Sequence, residues 1–563
     1  MQTHSMNSQF RLNEKGALQY NWSFKDNKKL ISELQFQMTL SNSDYNQIHL
    51  IHKNLLEDKD LTKEEKTILY KLLAYTRDIK QGKGIYSWSY VMLYNFAHHD
   101  FKLFKNIFND FIGFESSLEI PYGSHKDAKY FIDYCTKNFK NSETTKAIKD
   151  YIYSVWSIIL DKDIQSCKNK EKTSLLSRWM PREKQKFGYI FNEFALYSAE
   201  FSLPSKDSRN YNKAVLKCKT LLRKKIAELN RYINTPQINQ CANTWSKIDF
   251  EKDVTSITFM KQKRAFLNED TSGNLRHPKN TDRMTTRDNL KKYLTGVTEG
   301  KIKIKAKNVD VYDYVKSALF ASSEDEKMLI NESWKQNGEN LNNLKNIIAM
   351  VDNSGSMEVD NYKPLYSAVG LGIRVAEKSS LGRRVLTFSA DPSWINLEDC
   401  ETLTSAAKKI KENSNWGMNT DFKKAMFKIL EAIKAIKMPV AEVEKLVLAV
   451  FSDMQWDDNT RNTNRETNQQ AVLFDYMKEE YRKAGIAIHG IPYKMPHILF
   501  WNMRTTDGFP CLSDSENVSM LSGNNPVLLN NFEQKGVLSL KEINPWKMLT
   551  DQLDCDRYKH LEI

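Results

Sequence analysis

The spacing of apolar residues divides the chain into two parts with different predicted secondary structure. From about 28 to 250, apolar residues recur every three or four positions, as in KEEKTILYKLLAYTRDI, and strand-like alternation is scarce. This period is that of amphipathic α-helices. Prolines are few and stand between the predicted helices, which favours short connections between antiparallel neighbours. The pattern therefore predicts an all-α array, either a solenoid or an irregular bundle, although no clean sequence period establishes a strict repeat.

A change of pattern at about residue 347 predicts a second architecture. IIAMVD, RRVLTFSA and KLVLAVFSDM are short apolar runs that alternate with amphipathic helical stretches, and HILFWNM and ENVSMLSG are further predicted strands. Alternating helices and strands, with strands apolar on both faces, indicate an α/β doubly wound parallel sheet. We therefore predict a multidomain chain with a tail at 1–27, a helical domain at 28–340 that contains a polar loop at 268–290, and an α/β domain at 346–563.

The charge is distributed along the same division. The 563-residue chain has 83 Lys and Arg against 70 Asp and Glu, a formal net charge of +13. Residues 1–340 contain 56 basic and 41 acidic residues, net +15, whereas residues 341–563 contain 27 and 29, net −2. A basic half suggests a polyanionic partner, and the alternative is a basic face that is simply solvated.

Composition and cysteine spacing disfavour several classes of protein. The longest apolar runs, such as LVLAVF, are far shorter than the roughly 18 residues that span a bilayer. The first residues lack the basic-then-apolar pattern of a secretory signal. The 7 cysteines form no CxxC pair and accompany no His cluster, which disfavours disulfides and a zinc site. An intracellular protein without a membrane partner is expected.

A candidate metal motif directly follows the first strand of the predicted sheet, as DNSGS at 352–356. Ligands of such sheets bind at the carboxyl ends of strands. A carboxylate and two hydroxyls at alternate positions can converge as the chain turns, and they are hard oxygen ligands suited to Mg²⁺ or Mn²⁺. Asp and Ser are also common in turns and caps, so the motif alone is weak. A hydroxyl before a helix and a carboxylate after LVLAVF strengthen it. The predicted metal residues are Asp352, Ser354, Ser356, Thr420 and Asp453.

The stretch 346–563 resembles a von Willebrand factor A (vWA) domain with a metal-ion-dependent adhesion site. The resemblance implies that the two Ser side chains of the motif and Thr420 bind the ion directly. It implies that Asp352 and Asp453 act through bound water, and that a partner's carboxylate or water fills an open coordination position. In this chain Met454 follows the second Asp, where Gly is frequent in the family, and this change removes no ligand.

Basic tracts with neighbouring aromatic residues recur in the helical part, at 75–84, 121–127, 177–184, 217–231 and 301–307. Lys and Arg contact phosphates and aromatic rings stack on unpaired bases, so these tracts favour nucleic acid. Structural interpretations remain open: a helix C-terminus with glycine caps for the first tract, a helix interface for Trp179, and an exposed amphipathic segment for KIKIKAK. The predicted RNA contacts are Arg77, Lys80, Lys83, Lys126, Arg178, Arg182, Lys217, Lys219, Arg223, Lys224 and Lys225.

Together these tracts resemble the TROVE module of telomerase, Ro and vault proteins, a HEAT-like helical ring that carries a C-terminal vWA domain. RD-x-x-x-GKG at 77–84 matches its early signature, and YG-x-x-KD at 122–127 matches a second element. Ile85 departs from the family, whose members more often have an acidic residue after GKG. More closely, the chain resembles an uncharacterised family of giant-virus, plant and fungal proteins with WMPREK, W-x-x-I-D and FSDM elements. The TROVE resemblance implies RNA binding by the helical part. A cytoplasmic location is expected, or association with the virion if the source is viral.

Three hypotheses about function follow. The first is an RNA-binding ribonucleoprotein scaffold, in which the basic helical domain binds small structured or single-stranded RNA and the vWA domain binds Mg²⁺ or Mn²⁺ and a partner. The second is a metal-dependent protein interaction module without RNA. The third is a metal-dependent hydrolase, but we find no nucleophile with a neighbouring base, P-loop or GxGxxG in the sequence. No catalytic residue is assigned, and the oligomeric state is left open.

Overall fold

The computed structural model describes residues 10–40, 45–198, 203–306, 309–339, 341, 344, 346–388, 391–413, 421–456, 469–529 and 544–563. In these ranges a helical N-terminal region precedes a mixed β-sheet, so the predicted multidomain order of a helical part and a sheet part is confirmed. None of the helices in these ranges combines the length and the apolarity that a bilayer crossing requires.

The described part of the predicted tail at 1–27 contains a β-hairpin. Its strands are β1 (Phe10–Leu12) and β2 (Leu18–Tyr20), which pair antiparallel. The side-chain oxygen of Asn13 accepts two backbone N–H groups of the connecting turn, at 2.9 and 2.8 Å, and this local bonding closes the hairpin. The described part of the predicted tail therefore contains regular structure, which was not predicted because three-residue strands are too short to give a clear alternating pattern.

Helices follow one another from residue 27 to residue 298. Helices α1, α5, α12 and α13 begin with a side-chain cap; at the start of α5, for example, the Asp100 carboxylate accepts the N–H groups of Lys102 and Leu103 at 2.9 and 3.1 Å. The helices are α1 (Asn27–Gln37), α2 (Tyr45–Glu57), α3 (Lys63–Arg77), α4 (Tyr86–His99), α5 (Phe101–Ile112), α6 (Lys126–Asn138), α7 (Glu143–Lys168), α8 (Leu176–Trp179), α9 (Gly188–Tyr197), α10 (Tyr211–Ile233), α11 (Pro236–Cys241), α12 (Ser256–Phe266) and α13 (Thr281–Thr298), with a 3₁₀ turn at Trp245–Lys247.

Helix α13 corrects the predicted polar loop at 268–290. Residues 268–280 are irregular, but the helix begins at Thr281 and is capped by Asn280, whose side chain accepts the N–H of Arg283 at 3.1 Å. Its first two turns, TDRMTTRD, are so polar that no apolar period marks them. The structure supplies the missing stabilisation through tertiary contacts, since the Arg283 guanidinium lies over the Trp245 ring at 3.7 Å.

The chain forms two compact units whose boundaries differ from the predicted ones. The helical unit consists of residues 77–80 and 86–302, and the sheet unit consists of residues 1–76, 81–85 and 303–563. The N-terminal hairpin and helices α1 to α3 thus belong with the sheet. This division also sharpens the charge asymmetry. The helical unit has 39 Lys and Arg against 25 Asp and Glu, net +14, and the sheet unit has 44 against 45, net −1.

A six-stranded sheet in the described residues organises the sheet unit, with the strand order β5-β4-β3-β6-β7-β8. All pairs are parallel except β4 and β5, which are antiparallel because only four residues connect them. The strands are β3 (Ile347–Asp352), β4 (Arg384–Phe388), β5 (Ser393–Asn396), β6 (Val447–Ser452), β7 (His497–Asn502) and β8 (Val518–Ser522). The helices are α14 (Val311–Leu319), α15 (Glu324–Asn337), α16 (Val359–Lys378), α17 (Leu403–Asn413), α18 (Phe422–Ala435), α19 (Val440–Val443), α20 (Gln469–His489) and α21 (Pro545–Leu553), with 3₁₀ turns at Gly355–Glu358 and Pro526–Leu529.

Burial on both faces explains the apolar runs that predicted these strands. Every residue of β6, β7 and β8 is buried. Helix α16 contacts β3, β4 and β6, and it approaches closely because a Cβ on Gly372 would lie 2.5 Å from the Val351 side chain. The N-terminal helix α1 contacts the edge strand β8, as does α21. Residues from both ends of the chain therefore cover one edge of the sheet.

We predict that His497 makes the protein less stable in mild acid. The side chain lies on β7 with Nε2 2.9 Å from Ser519 Oγ, and burial lowers its pKa to about 4. The unfolded chain binds this proton near pH 6.5, whereas the folded chain does not until about pH 4, so stability falls as the pH drops through that window. Between pH 7 and pH 5 the free energy of unfolding of the wild type should fall by on the order of 1–2 kcal/mol more than that of His497→Gln, measured by urea denaturation.

The exposed histidine His98 provides the control, as His98→Gln. An identical dependence on pH in the wild type and in His497→Gln would contradict the assignment.

Candidate metal centre and nucleic-acid interface

Two of the predicted metal residues, Asp352 and Asp453, lie where the strand order of the sheet reverses. Asp352 ends β3, and Asp453 directly follows β6. These two strands are parallel neighbours, with Val351 opposite Phe451, so their carboxyl ends are adjacent. From β3 the chain continues to β4 on one side, and from β6 it continues to β7 on the other side. In parallel sheets, such a reversal leaves a crevice at the carboxyl ends of the two strands.

The turn after β3 brings three predicted ligands together. Both Asp352 and Ser354 are fully buried, and the Ser354 N–H donates to Asp352 Oδ1 at 2.9 Å. The hydroxyls of Ser354 and Ser356 are 3.1 Å apart, so they face the same point. A 3₁₀ turn that begins at Gly355 produces this convergence. The fifth predicted residue, Thr420, lies outside the described residues.

Ser452, which the sequence interpretation missed, joins the two strand ends. Its hydroxyl donates to Asp352 Oδ2 at 2.5 Å and accepts the N–H of Met454 at 2.9 Å. The carboxylate of Asp352 is thereby held by one group from its own turn and one from the neighbouring strand. Ser452 is part of the FSDM element, but the sequence does not distinguish a serine with this role from any other buried serine at the end of a strand.

Asp453 is also buried, and its carboxylate is fixed by two donors. Its Oδ1 accepts the N–H of Gln455 at 3.0 Å, and its Oδ2 accepts Nε of Arg504 at 2.9 Å. Arg504 follows β7 and was missed as well. The rule that pointed to the ends of β3 and β6 also applies to the end of β7, so this arginine could have been considered from the sequence.

Met454 has the left-handed backbone conformation, with φ +61°. Gly adopts this conformation without the steric cost that a Cβ brings, roughly 1–2 kcal/mol. The geometry thus gives a physical reason why glycine suits this position. The Met454 side chain is completely buried, and the burial of its apolar surface offsets the cost.

The electrostatics of the crevice favour a cation. Burial, followed by the charge of Asp453, raises the pKa of Asp352 to about 6, although the hydrogen bonds from Ser452 and Ser354 oppose the rise. A carboxylate and two hydroxyls form a hard donor set that fits Mg²⁺ or Mn²⁺. The described residues contain no group of three or more His, Cys, Asp or Glu side chains that could hold a metal ion, so the donor set depends on the hydroxyls. On the Asp453 side, Arg504 already supplies one positive charge.

In the helical unit, the structure assembles cations and aromatic rings into one cluster. It is centred on Trp179: the ring centre lies 5.9 Å from Lys126 Nζ, 5.4 Å from Lys129 Nζ and 5.7 Å from the Arg178 guanidinium carbon. We define the cation–aromatic cluster as Tyr86, Lys126, Lys129, Tyr130, Arg178, Trp179, Arg182 and Phe187. Three of the predicted RNA contacts, Lys126, Arg178 and Arg182, lie in it.

Lys129 is the basic member of the cluster that was not predicted. It is one turn after Lys126 on α6, and its Nζ lies 5.5 Å from the ring centre of Phe187. Burial, and then repulsion by Lys126 and Arg182, lowers its pKa to about 8. The cluster therefore concentrates positive charge that an anionic ligand would stabilise. The i, i+3 spacing of the two lysines was visible, but their meeting with Trp179 is a tertiary contact.

The predicted contacts on α10 lie on a partly neutralised basic face. Glu183 accepts Arg223 at 2.7 Å and lies 4.0 Å from Lys219, and Asp161 accepts Lys225 at 3.1 Å. The other two α10 residues, Lys217 and Lys224, and also Lys80, are exposed. Because Glu183 directly follows Arg182, this face continues the cation–aromatic cluster.

Two predicted RNA contacts are buried and are corrected here. Arg77 forms a bidentate ion pair with Asp127, with both N–O distances 2.8 Å, and Tyr90 donates to the same carboxylate at 2.7 Å. Burial would raise the pKa of Asp127, but Arg77 outweighs it and the pKa is lowered. A Cβ on Gly123 would lie 2.5 Å from this carboxylate. The RD and YG-x-x-KD elements thus meet in one buried ion pair.

Lys83 is the second corrected residue, and it belongs to the sheet unit. Its side chain is 3% exposed, and Nζ donates to Gln35 O at 2.5 Å and to Ser522 Oγ at 2.7 Å. Burial lowers its pKa well below the ordinary value. The lysine of GKG therefore links α1 to the end of β8 and is not available to a phosphate.

The comparisons with known proteins agree with a chain of this organisation. Residues 346–560 match the model of a domain of unknown function, DUF7788, which begins at the residue predicted to start the α/β domain. Uncharacterized protein L728 of Acanthamoeba polyphaga mimivirus is 30% identical over 514 residues, which cover 87% of this chain and 80% of the relative. The chain belongs to the family of this giant-virus protein, and the predicted resemblance to such an uncharacterised family is confirmed.

We predict that Arg77 is a stability residue. Arg77→Gln leaves Asp127 charged and unpaired in the interior, so the free energy of unfolding should fall by about 3–5 kcal/mol. Arg482→Gln is the matched control, because Arg482 also pairs with its carboxylate, Glu479, through two nitrogens, but both side chains are exposed and such surface pairs contribute at most about 1 kcal/mol. Urea denaturation of both variants provides the measurement, and equal losses would contradict the prediction.

Proposed function

We propose that the protein is an RNA-binding ribonucleoprotein scaffold, in which the helical unit binds RNA and the sheet unit acts as a vWA-like domain that binds Mg²⁺ or Mn²⁺ and a partner. The observation that carries the RNA part is the cation–aromatic cluster. Three basic side chains surround Trp179 in a unit whose net charge is +14. The TROVE-like order of the motifs supports the same class of ligand.

The chemistry of the cluster suits a nucleic-acid strand. Lys126 and Lys129 can contact phosphates, while the rings of Tyr86 and Trp179 offer faces on which bases can stack. Tyr86 is 46% exposed, so its ring is open to solvent. The exposed Lys217 and Lys224 extend the positive surface along α10. Two or more phosphates lying along this surface would release counterions, which makes salt dependence the diagnostic property.

We predict that RNA binding falls with salt and depends on Lys126 and Lys129. Fluorescence anisotropy with a labelled RNA oligonucleotide at several salt concentrations gives the affinity and its slope. The double substitution Lys126→Gln/Lys129→Gln should weaken binding roughly tenfold or more and reduce the salt slope by about 1–2, one unit for each lost phosphate contact.

The control keeps the same change of charge in the same region of the chain. Lys137 ends the basic residues of α6, and Lys140 follows the helix; both are exposed. Lys137→Gln/Lys140→Gln should retain nearly the wild-type affinity. Equal weakening by the two doubles would indicate general charge attraction instead of a site, and an affinity independent of salt would refute RNA binding by this surface.

A second candidate function, metal-dependent protein interaction without RNA, is favoured by the turn after β3. There Ser354 and Ser356 would hold a divalent ion directly, and Asp352 and Asp453 would orient its water ligands, as the vWA resemblance implies. The hydrogen bond from Ser452 fixes Asp352 for this role. A bound Mg²⁺ would supply a coordination position for the carboxylate of a partner.

We predict that Mg²⁺ or Mn²⁺ stabilises the protein through Asp352. At a metal concentration about 100 times the Kd, the gain should be about 2.7 kcal/mol, seen as a higher thermal midpoint. Asp352→Asn should abolish the gain, because it removes the charge that orders the ion's shell. Asp399→Asn changes an exposed carboxylate paired with Lys409 and should leave the gain intact. A gain that survives Asp352→Asn would place the metal elsewhere.

A further inference from the structure

The N-terminal hairpin lies against the two loops that follow β6 and β7. Asn13 Nδ2 donates to Trp456 O at 2.8 Å, and the Glu14 N–H donates to Gln455 Oε1 at 2.9 Å. Tyr20 and Phe509 exchange two backbone hydrogen bonds of 3.1 Å. The edge of the sheet that carries the candidate metal centre is thus covered, beside Asp453, by a segment more than 400 residues away in sequence.

Arg504 connects this hairpin to the candidate metal centre. Its Nε donates to Asp453 Oδ2 at 2.9 Å, while its two terminal nitrogens donate to the two carboxylate oxygens of Glu14 at 3.1 and 2.6 Å. The exposed fractions of the three side chains are 13% for Arg504, 0% for Asp453 and 57% for Glu14. The guanidinium is therefore shared between a buried carboxylate of the sheet and a carboxylate of the hairpin.

We propose that the hairpin and a divalent cation compete through Arg504, so that cation binding loosens the hairpin and the docked hairpin weakens cation binding. This inference rests on the proposed metal site. A cation held by Asp352, Ser354 and Ser356 is attracted by the negative charge of Asp453. Arg504 neutralises this same charge. Two cations beside one buried carboxylate repel each other, and this repulsion is screened less at a buried site than in water.

The consequence for the hairpin follows from the fork geometry of Arg504. When the guanidinium moves away from Asp453, its bidentate bond to Glu14 draws the hairpin with it. The linkage is reciprocal, because a factor by which the cation weakens hairpin docking equals the factor by which docking weakens cation binding. Arg504 is in this sense a positioning residue that sets the affinity of the centre without touching the ion.

The experiment uses the full chain and two measurements with Mg²⁺. Calorimetry gives the affinity for the ion, and hydrogen exchange of residues 10–20 gives the opening of the hairpin. We expect Mg²⁺ to speed exchange in this segment. Arg504→Gln should raise the affinity for Mg²⁺ roughly fivefold or more, the lower end of typical coupling factors. A merely structural role would lower the affinity, so the direction of the change is informative.

Three further variants keep the test decisive. Glu14→Gln should open the hairpin without Mg²⁺ and also raise the affinity, and it serves if Arg504→Gln fails to fold. Arg504→Lys loses the fork but keeps a positive charge that can still reach Asp453, so it should open the hairpin and raise the affinity less than Arg504→Gln does. Arg11→Gln removes a separate and exposed hairpin contact, the Arg11–Asp507 pair at 3.2 Å, which contributes little to docking, so the affinity should stay nearly unchanged.

The outcomes separate this inference from the metal site itself. Binding of Mg²⁺ with faster hairpin exchange and a tighter Arg504→Gln variant supports the coupling, and so does binding seen only in that variant. Binding of Mg²⁺ with unchanged or slower exchange, or with weaker affinity in both Arg504→Gln and Glu14→Gln, overturns the coupling and leaves the metal site standing. Absence of binding in the wild type and in both variants overturns the metal site and the inference with it.

Discussion

The burial of two carboxylates at adjacent strand ends is the constraint on which the arrangement of the sheet unit depends. Asp352 and Asp453 cannot remain charged in a dry interior without compensation, and the neighbouring groups supply it. Ser452 and the Ser354 amide bond the first carboxylate, while Gln455 and Arg504 bond the second. Burial, and then the charge of Asp453, still raises the pKa of Asp352 to about 6, and a positive charge beside the two carboxylates would relieve their repulsion.

The two units differ in their net charge and in where that charge is concentrated. The sheet unit is nearly neutral and concentrates negative charge at one strand edge, whereas the helical unit has an excess of 14 positive charges and gathers part of it around Trp179. In the helical unit, the basic residues that look alike in sequence divide into two groups. Arg77 is buried against a carboxylate, and Lys126 and Lys129 lie over aromatic rings that a ligand can share. All three side chains are basic, so their charge does not distinguish the structural role from the binding role. The greater burial of Arg77 does.

The sequence was informative wherever local pattern and local structure coincide. The apolar runs predicted β3, β6, β7 and β8, because parallel strands buried on both faces need no polar alternation. The DNSGS turn predicted the approach of Asp352, Ser354 and Ser356, because the convergence is made by consecutive residues. The antiparallel edge strand β5 was not predicted. Its direction depends on the short connection from β4, and the apolar pattern does not reveal it.

What could not be predicted depends on contacts between distant residues. Glu14 and Arg504 are 490 positions apart, and no pattern in either segment announces the ion pair. The burial of Lys83 requires the carbonyls of α1 and the end of β8. Helix α13 is stabilised by Arg283 over Trp245, although its own first turns are polar. In each of these cases tertiary structure decided a question that the local sequence left open.

The interleaving of the chain between the two units limits how the molecule can be divided experimentally. The GKG loop at 81–85 belongs to the sheet unit, yet the segments on both sides of it belong to the helical unit. A fragment that ends at residue 340 would carry α1 and Lys83 without the strand they contact. A fragment that begins at residue 346, where the family model starts, would expose the buried face of β8 and leave Arg504 without Glu14. The smallest piece that retains the sheet unit is therefore nearly the whole protein.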